Sequence, residues 1–161
     1  MIDLSLSLSR TTTMPPSEFS FRLQQGIAGG FAPPTPNAIY TVTASANKPS
    51  LFITSAVRPA GTPSLADAVP KSLAVDAGNT SALVDELHGI LKELPTEQPP
   101  GSEDIYGLDT AIAWGSDDLE WMNGRPQGCG GGFSEVQPTG QQKEKFKRAV
   151  AIVEELVSKA S

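Results

Sequence analysis

The chain has 161 residues and a formal net charge of −6, with 18 acidic side chains against 12 lysines and arginines. This length fits one domain that can bury a core without disulfides or metals, and the acidic balance argues against a nucleic-acid partner. The one cysteine, Cys129, excludes a disulfide within the monomer, and the one histidine, His88, excludes a zinc site that needs two histidines.

The first residues of the chain alternate apolar and polar side chains, which is the period-two pattern of a strand. Residues 1–17 therefore form either an edge strand or a leader, and we assign residues 18–161 to a single domain. A signal peptide would need a basic start and an unbroken apolar run, and no segment reaches the ~20 apolar residues of a membrane span. We expect a soluble protein without a membrane partner, cytoplasmic by default and monomeric when free.

Four β-rich segments precede the first predicted helix. Residues 18–25 place three apolar side chains on one face, which predicts a half-buried strand. Residues 38–57 contain two apolar runs separated by an Asn-Lys-Pro turn signal, and this pattern predicts a hairpin. The proline-rich segment 58–70 predicts an inserted loop, and residues 72–76 predict a short strand.

Two helices are predicted from their periodicity and caps. Apolar side chains in residues 83–94 recur on one helix face, with Asn79 or Thr80 as the cap at the start. The second helix begins at a capping box formed by Thr139 and Gln142. The helix is predicted to run to about Val157. Its predicted apolar face comprises Phe146, Val150, Val153 and Leu156 or Val157.

A second hairpin is predicted between the helices. Residues 105–114 alternate strongly, and after a turn residues 119–123 return as the partner strand. Trp121 is expected to face Ile112 or Trp114, since aromatic pairs across strands stabilise hairpins. The resulting order of elements predicts an α+β fold, with an antiparallel β-sheet of hairpins and two α-helices packed on one face.

The segment Gln24–Pro36 is the most distinctive part of the sequence. Its glycines, which include Gly29 and Gly30, precede Phe31, and three prolines follow. Glycine permits a tight turn and a close approach to another molecule, whereas proline stiffens the chain. Phe31 either packs into the core, as in an ordinary loop, or stands outward as a tip that contacts a partner.

The other motifs give little indication of catalysis. Gly128–Gly132 lacks the lysine of a phosphate-binding P-loop, and Cys129 would need His88 as its base. His88 itself is expected to pack at the margin of the core. The acidic pairs Glu103-Asp104 and Asp117-Asp118 are expected in solvated turns, with a weak calcium contact at the second pair as the alternative. We therefore expect a binding protein and not an enzyme, without a cofactor or a bound metal.

Three segments resemble the emfourin family, whose members are small protein inhibitors of thermolysin-like (M4) metalloproteases. The segment Phe19–Ala32 is similar to the opening strand of that family and to the Gly-Gly-Phe-Ala signature at its end. Leu73–Pro95 resembles the family's strand, helix and Leu-Pro stop, and Pro100–Tyr106 resembles the segment before its paired strands. The closing helix matches in position. Relative to the family, the additions are residues 1–17, 33–71 and 124–138.

The resemblance implies a proteinaceous metalloprotease inhibitor, whose partner is a thermolysin-like metalloprotease or another protease. The residues that it assigns to the protease-binding loop are Ile27, Ala28, Gly29, Gly30, Phe31 and Ala32. Phe31 would occupy an apolar specificity pocket. Because these residues include no cysteine, histidine or carboxylate, the loop would block the cleft without ligating zinc. The alternative is a non-catalytic protein-interaction domain with an unknown partner.

Overall fold

The computed structural model describes most of the domain. The described residues are 18–27, 36–45, 49–59, 61–62, 64–76, 78–99, 102–124 and 133–161. The predicted edge strand or leader, residues 1–17, lies outside them.

Within these described ranges, six strands and two helices follow one another in the predicted order. They are β1 (Phe19–Gln25), β2 (Ala38–Ala44), β3 (Ser50–Val57), β4 (Val69–Ala74), α1 (Thr80–Glu93), β5 (Thr110–Ser116), β6 (Leu119–Met122) and α2 (Gly140–Lys159). The strands form one antiparallel sheet in the order β4-β3-β2-β1-β5-β6, with both predicted hairpins present. The α+β fold with an antiparallel sheet and two helices is therefore confirmed.

The core lies between one face of the sheet and the two helices. Phe19, Phe21 and Leu23 alternate along β1 and are buried, as their period-two spacing predicts. The ring of Trp114 on β5 stacks on Phe19 and Phe21, with centroid distances of 5.1 and 5.4 Å. Trp121 pairs with Trp114 across the second hairpin, which confirms one of the two predicted partners.

The helices follow their predicted signals closely. Asn79 occupies the N-cap position of α1, although its side chain makes no capping hydrogen bond. Both hydrogen bonds of the Thr139–Gln142 capping box are present at the start of α2. Val150 is half-buried and packs against the core, in line with its place on the predicted apolar face of α2. The buried side chains of α2 are Phe146, Ala149, Ile152, Val153, Leu156 and Val157. No helix in the described part of the chain is long and apolar enough to cross a membrane.

The predicted boundaries of β4 were wrong. The strand begins at Val69 and ends at Ala74, so it takes in the end of the expected loop 58–70 and stops short of Asp76. Pro70 is tolerated within it because β4 is an edge strand, with a neighbouring strand on one side only. On the outer side, Ser72 exchanges two backbone hydrogen bonds with Ser161.

The predicted start of β5 was also wrong. The alternation of residues 105–109 does not belong to a strand, because Gly107 and Asp109 have positive φ angles of 72° and 54°. Tyr106 is instead buried against α2, where its ring stacks on Phe146 at a centroid distance of 4.2 Å.

The strand ends that flank the long connections lie at one end of the sheet, because neighbouring strands run in opposite directions. We call this the loop end: β1, β3 and β6 end there, and β2, β4 and β5 begin there. Its connections are residues 26–37, 58–68, 94–109 and 123–139. The opposite end, which we call the turn end, has the shorter connections 45–49, 75–79 and 117–118.

Candidate functional site

The predicted protease-binding loop belongs to connection 26–37 at the loop end. Ile27 is described and half-buried, whereas Ala28, Gly29, Gly30, Phe31 and Ala32 lie outside the described residues. The outward position of Phe31 therefore stays a prediction. The structure does describe the base from which the loop leaves the sheet, namely residues 26–27 and 36–37.

Backbone hydrogen bonds fix the base of this loop from two sides. On one side, the N–H of Asn37 donates to the carbonyl of Gln25 at 2.7 Å and closes the loop across β1 and β2. On the other side, the N–H of Gly26 donates to the carbonyl of Asp109 at 2.8 Å. The N–H of Ile27 then donates to the Asp109 carboxylate at 2.9 Å. Asp109 thus holds two consecutive residues of the loop base.

Glycine is required where the loop leaves β1. Gly26 has a φ of +92°, and a Cβ at this position would lie 3.0 Å from the backbone nitrogen of Asn37. The carbonyl of Gly26 accepts a hydrogen bond from Gln24 Nε2 at 3.2 Å, and Arg22 donates to the Gln24 amide oxygen at 2.9 Å. The direction of the chain at the loop base is therefore set by both backbone conformation and side-chain contacts.

The predicted solvated pair Glu103-Asp104 has a structural role instead. The Asp104 carboxylate accepts hydrogen bonds from the N–H groups of Gly107 at 3.1 Å and Asp109 at 2.9 Å, which holds the turn before β5. Glu103 Oε1 accepts from the N–H of Ser134 at 2.8 Å. Both carboxylates are partly buried and bind backbone donors, so the prediction of a solvated turn was wrong for this pair.

Gly124, which precedes the second glycine-rich segment, lies beside the loop base. The N–H of Gly124 donates to Glu97 Oε2 at 2.9 Å, and the N–H of Gln98 donates to Ser134 Oγ at 2.9 Å. The consecutive residues Glu97 and Gln98 therefore hold the two residues that flank segment 125–133. A Cβ on Gly124 would lie 2.8 Å from Ile27 Cδ1, which shows how closely the two connections approach. Gly128–Gly132, with Cys129, lie outside the described residues.

Buried polar side chains hold connection 94–109 against the body of the domain. Glu97 is 2% exposed, and the Tyr106 hydroxyl donates to the carbonyl of Pro95 at 2.6 Å. Burial, together with the nearby Glu97 charge, holds the pKa of Tyr106 well above its usual range. Trp121 Nε1 donates to the carbonyl of Leu94 at 2.9 Å. This connection is therefore bonded to the body of the domain.

Asn123 extends the hydrogen bonding of the last hairpin beyond β6. It is 1% exposed, and its Oδ1 accepts from the N–H of Ile112 at 2.8 Å. Its Nδ2 donates to the carbonyl of Thr110 at 3.2 Å. One amide side chain thus satisfies a backbone donor and a backbone acceptor at the start of β5.

The turn end contains the only histidine of the sequence in an ion-pair cluster. Asp118 is exposed in the turn between β5 and β6, as predicted for a solvated turn, and its Oδ2 lies 3.0 Å from His88 Nε2 and 3.2 Å from Lys92 Nζ. The Ser116 hydroxyl donates to Asp118 at 2.7 Å. This hydrogen bond, with contributions from Lys92 and His88, lowers the pKa of Asp118 to about 2.

His88 packs at the margin of the core, as its position on α1 predicts. It is 5% exposed, and its ring lies tilted against Trp114 at a centroid distance of 5.2 Å. Asp118 stands between His88 and Ser116, and it contacts both. A catalytic imidazole would instead accept the proton of the hydroxyl directly. Within the described ranges, no group of three or more histidine, cysteine, aspartate and glutamate side chains is placed to hold a metal ion.

Comparisons with known proteins return no relative: no family model, no curated protein and no solved structure matches the chain. The resemblance to the emfourin family therefore depends on the three sequence segments alone. A function for this chain has to be argued from the geometry of the loop end.

Proposed function

We propose that the protein is a metalloprotease inhibitor, which blocks the active-site cleft of a thermolysin-like enzyme with the segment Gly29–Ala32. Phe31 fills an apolar pocket of the cleft, and the two glycines allow the backbone to pass close to the edge of the cleft. The segment contains no side chain that binds zinc, so the catalytic zinc stays with the protease and inhibition comes from occlusion.

The observation that carries this proposal is the fixed base of connection 26–37. Three hydrogen bonds, of 2.7 to 2.9 Å, hold Gly26, Ile27 and Asn37 in the free protein. A loop whose ends are already ordered loses less conformational freedom when it binds, and more of the contact energy appears as affinity. The residues that would enter the cleft thus leave the sheet from a fixed platform.

The platform itself supports the same proposal. β1 is hydrogen-bonded to β2 on one side and to β5 on the other, and Gln25 at its end is paired with both Ala38 and Thr110. Adjacent antiparallel strands need only two to five residues to connect them, so residues 26–37 are far more than the hairpin requires. Long loops on a rigid scaffold are where binding residues are commonly found.

The proposal is tested by titrating the purified protein against thermolysin, with a serine protease and a cysteine protease as specificity controls. Phe31→Ala should raise the inhibition constant about 30-fold, which corresponds to ~2 kcal/mol for the loss of a buried aromatic anchor. Phe52→Ala is the matched control, because Phe52 is 55% exposed on the opposite face of the sheet from the helices. Its inhibition constant should stay within about twofold of wild type.

The outcomes separate the parts of the proposal. An unchanged inhibition constant for Phe31→Ala would show that another surface blocks the protease. Zinc measured in the isolated complex should equal that of free thermolysin, and loss of zinc would contradict inhibition by occlusion. If the wild-type protein inhibits none of the three proteases, the alternative of a non-catalytic interaction domain replaces the proposal.

A further inference from the structure

Phe133 is the most exposed large apolar side chain in the described part of the chain, with 88% of its surface accessible. The next most exposed are Phe52 at 55% and Val69 at 53%. Single exposed apolar residues are common on protein surfaces, so exposure alone does not assign a role to Phe133. Its surroundings distinguish it from the others.

The backbone directly after Phe133 is held by several hydrogen bonds. Ser134 is buried, its N–H donates to Glu103 Oε1 at 2.8 Å, and its Oγ accepts from the N–H of Gln98 at 2.9 Å. The same hydroxyl donates to the carbonyl of Val136 at 2.6 Å. An exposed aromatic ring is therefore attached to a fixed point of the backbone, as in a binding anchor that is ordered before its partner arrives.

Phe133 belongs to the same end of the molecule as the proposed inhibitory loop. Ser134 is bound to Gln98, and the preceding residue, Glu97, binds the N–H of Gly124 at 2.9 Å. Gly124 in turn packs against Ile27 at the loop base, where an added Cβ would come within 2.8 Å of Cδ1. A short series of direct contacts thus connects the base of the loop with the base of Phe133.

The size of a protease–inhibitor interface requires more surface than the loop provides. Such interfaces bury roughly 800 Å² on each partner and involve about 20–30 residues a side. A protease seated on residues 27–32 must therefore also contact neighbouring parts of the loop end. Val57 ends β3 and Val69 begins β4 at this end, and both are about half exposed. The loop end thus offers further apolar contacts, of which Phe133 is the largest and most exposed.

We propose that Phe133 is a second anchor for the same metalloprotease, and that it contacts apolar surface at the rim of the active-site cleft. This inference rests on the proposed inhibitory function. Phe31 would enter the cleft, while Phe133 would increase the affinity from outside it. Segment 124–138 is an addition relative to the emfourin family, so this contact would distinguish the chain from the inhibitors that it resembles.

The test compares Phe133→Ala with Phe52→Ala in the full chain, with thermolysin as the probe. Phe133→Ala should raise the inhibition constant about 10-fold and chiefly speed dissociation, whereas Phe52→Ala should change it less than twofold. Both side chains are exposed, so both variants should keep the wild-type urea midpoint. A Phe31→Ala/Phe133→Ala double variant should show the product of the two single effects, since separate anchors act additively.

Two results would overturn the inference in distinguishable ways. If wild type inhibits thermolysin and Phe133→Ala matches it within twofold, the second anchor is refuted while the proposed function stands. If wild type does not inhibit thermolysin at all, the proposed function fails and the inference fails with it.

Discussion

The two ends of the sheet are built in different ways. At the turn end, connections such as 117–118 are short, and the adjacent core contains the stacked rings of Phe19, Phe21 and Trp114. At the loop end, the connections are long, and carboxylate side chains bind backbone N–H groups within them. Asp109 accepts from the N–H of Ile27, and Glu97 accepts from the N–H of Gly124. Aromatic rings pack at both ends, since Tyr106 stacks on Phe146 at the loop end, but the connections of the loop end depend in addition on side-chain-to-backbone hydrogen bonds.

This difference separates stability from binding within one domain. Burial of large apolar side chains supplies most of the free energy of folding, and individual hydrogen bonds contribute less in net terms. Substitutions in the aromatic stack should therefore lower stability without altering the inhibitory loop directly. Substitutions of the polar side chains at the loop end should alter binding at a smaller cost in stability.

The largest expected effect comes from the aromatic stack. Trp114→Ala should lower the free energy of unfolding by about 3–5 kcal/mol, because the ring is 3% exposed and packs on three other rings. Urea unfolding followed by circular dichroism measures this loss, with Phe52→Ala as the exposed aromatic control. A loss below about 1 kcal/mol would contradict the view that packing stabilises this part of the molecule.

A smaller but substantial effect is expected at Asn123, at the loop end. Asn123→Ala should cost about 2–3 kcal/mol, because it leaves the buried N–H of Ile112 and carbonyl of Thr110 without this partner. Asn123→Asp keeps the acceptor but places a buried carboxylate against the carbonyl of Thr110, so at neutral pH it should be no more stable than Asn123→Ala. Urea midpoints and amide exchange at Ile112 provide the measurements. Equal stability of all three proteins would mean that this side chain contributes nothing to the loop end.

Asp109 offers the sharpest separation of stability from binding. Asp109→Ala should cost about 1–2 kcal/mol, since alanine is strained at a φ of 54° and the carboxylate that binds Ile27 is lost. Asp109→Gly removes the backbone strain but also lacks the carboxylate. Asp109→Asn keeps a hydrogen-bond acceptor, and asparagine tolerates this positive φ angle. Asp109→Gly should therefore be nearly as stable as wild type yet inhibit thermolysin several-fold less well. Equal inhibition by the Gly and Asn variants would show that this anchor does not order the loop.

The smallest effect is a pH dependence at the turn end. Contacts with Ser116, Lys92 and His88 lower the pKa of Asp118 from 3.8 to about 2, so the ionised carboxylate favours the folded state. Its contribution should be present above pH 3.8 and disappear as the pH falls towards 2. The difference in urea midpoint between wild type and Asp118→Asn should shrink across this interval. A difference that stays constant would show that the cluster is not linked to folding.

Periodicity and capping signals were enough to predict most of the fold. Alternation along β1 and the Thr139–Gln142 capping box reflect local geometry, which is visible in a short segment of sequence. The start of β4 was missed because Pro70 argues against a strand unless its edge position is known. Alternation before β5 was misleading because positive φ angles at Gly107 and Asp109 interrupt it.

The structure of the candidate site could be predicted only in part. The glycine and phenylalanine residues of segment 24–36 mark it as distinctive in the sequence. The sequence does not indicate which distant side chains contact the base of this segment. Ile27 and Asp109 are 82 positions apart, Gly124 and Glu97 are 27 apart, and no local pattern indicates such pairs. An aspartate two residues after a turn glycine, as Asp109 is after Gly107, is common in solvated loops as well.

The pairing of β1 and β2 has a consequence for the durability of the proposed inhibitor. Each of these strands is also hydrogen-bonded to a second neighbour, β5 or β3. If a protease hydrolysed one peptide bond between residues 28 and 35, both new termini would remain tethered to the sheet. The severed halves should co-elute in size-exclusion chromatography, and a nicked molecule would persist as one particle.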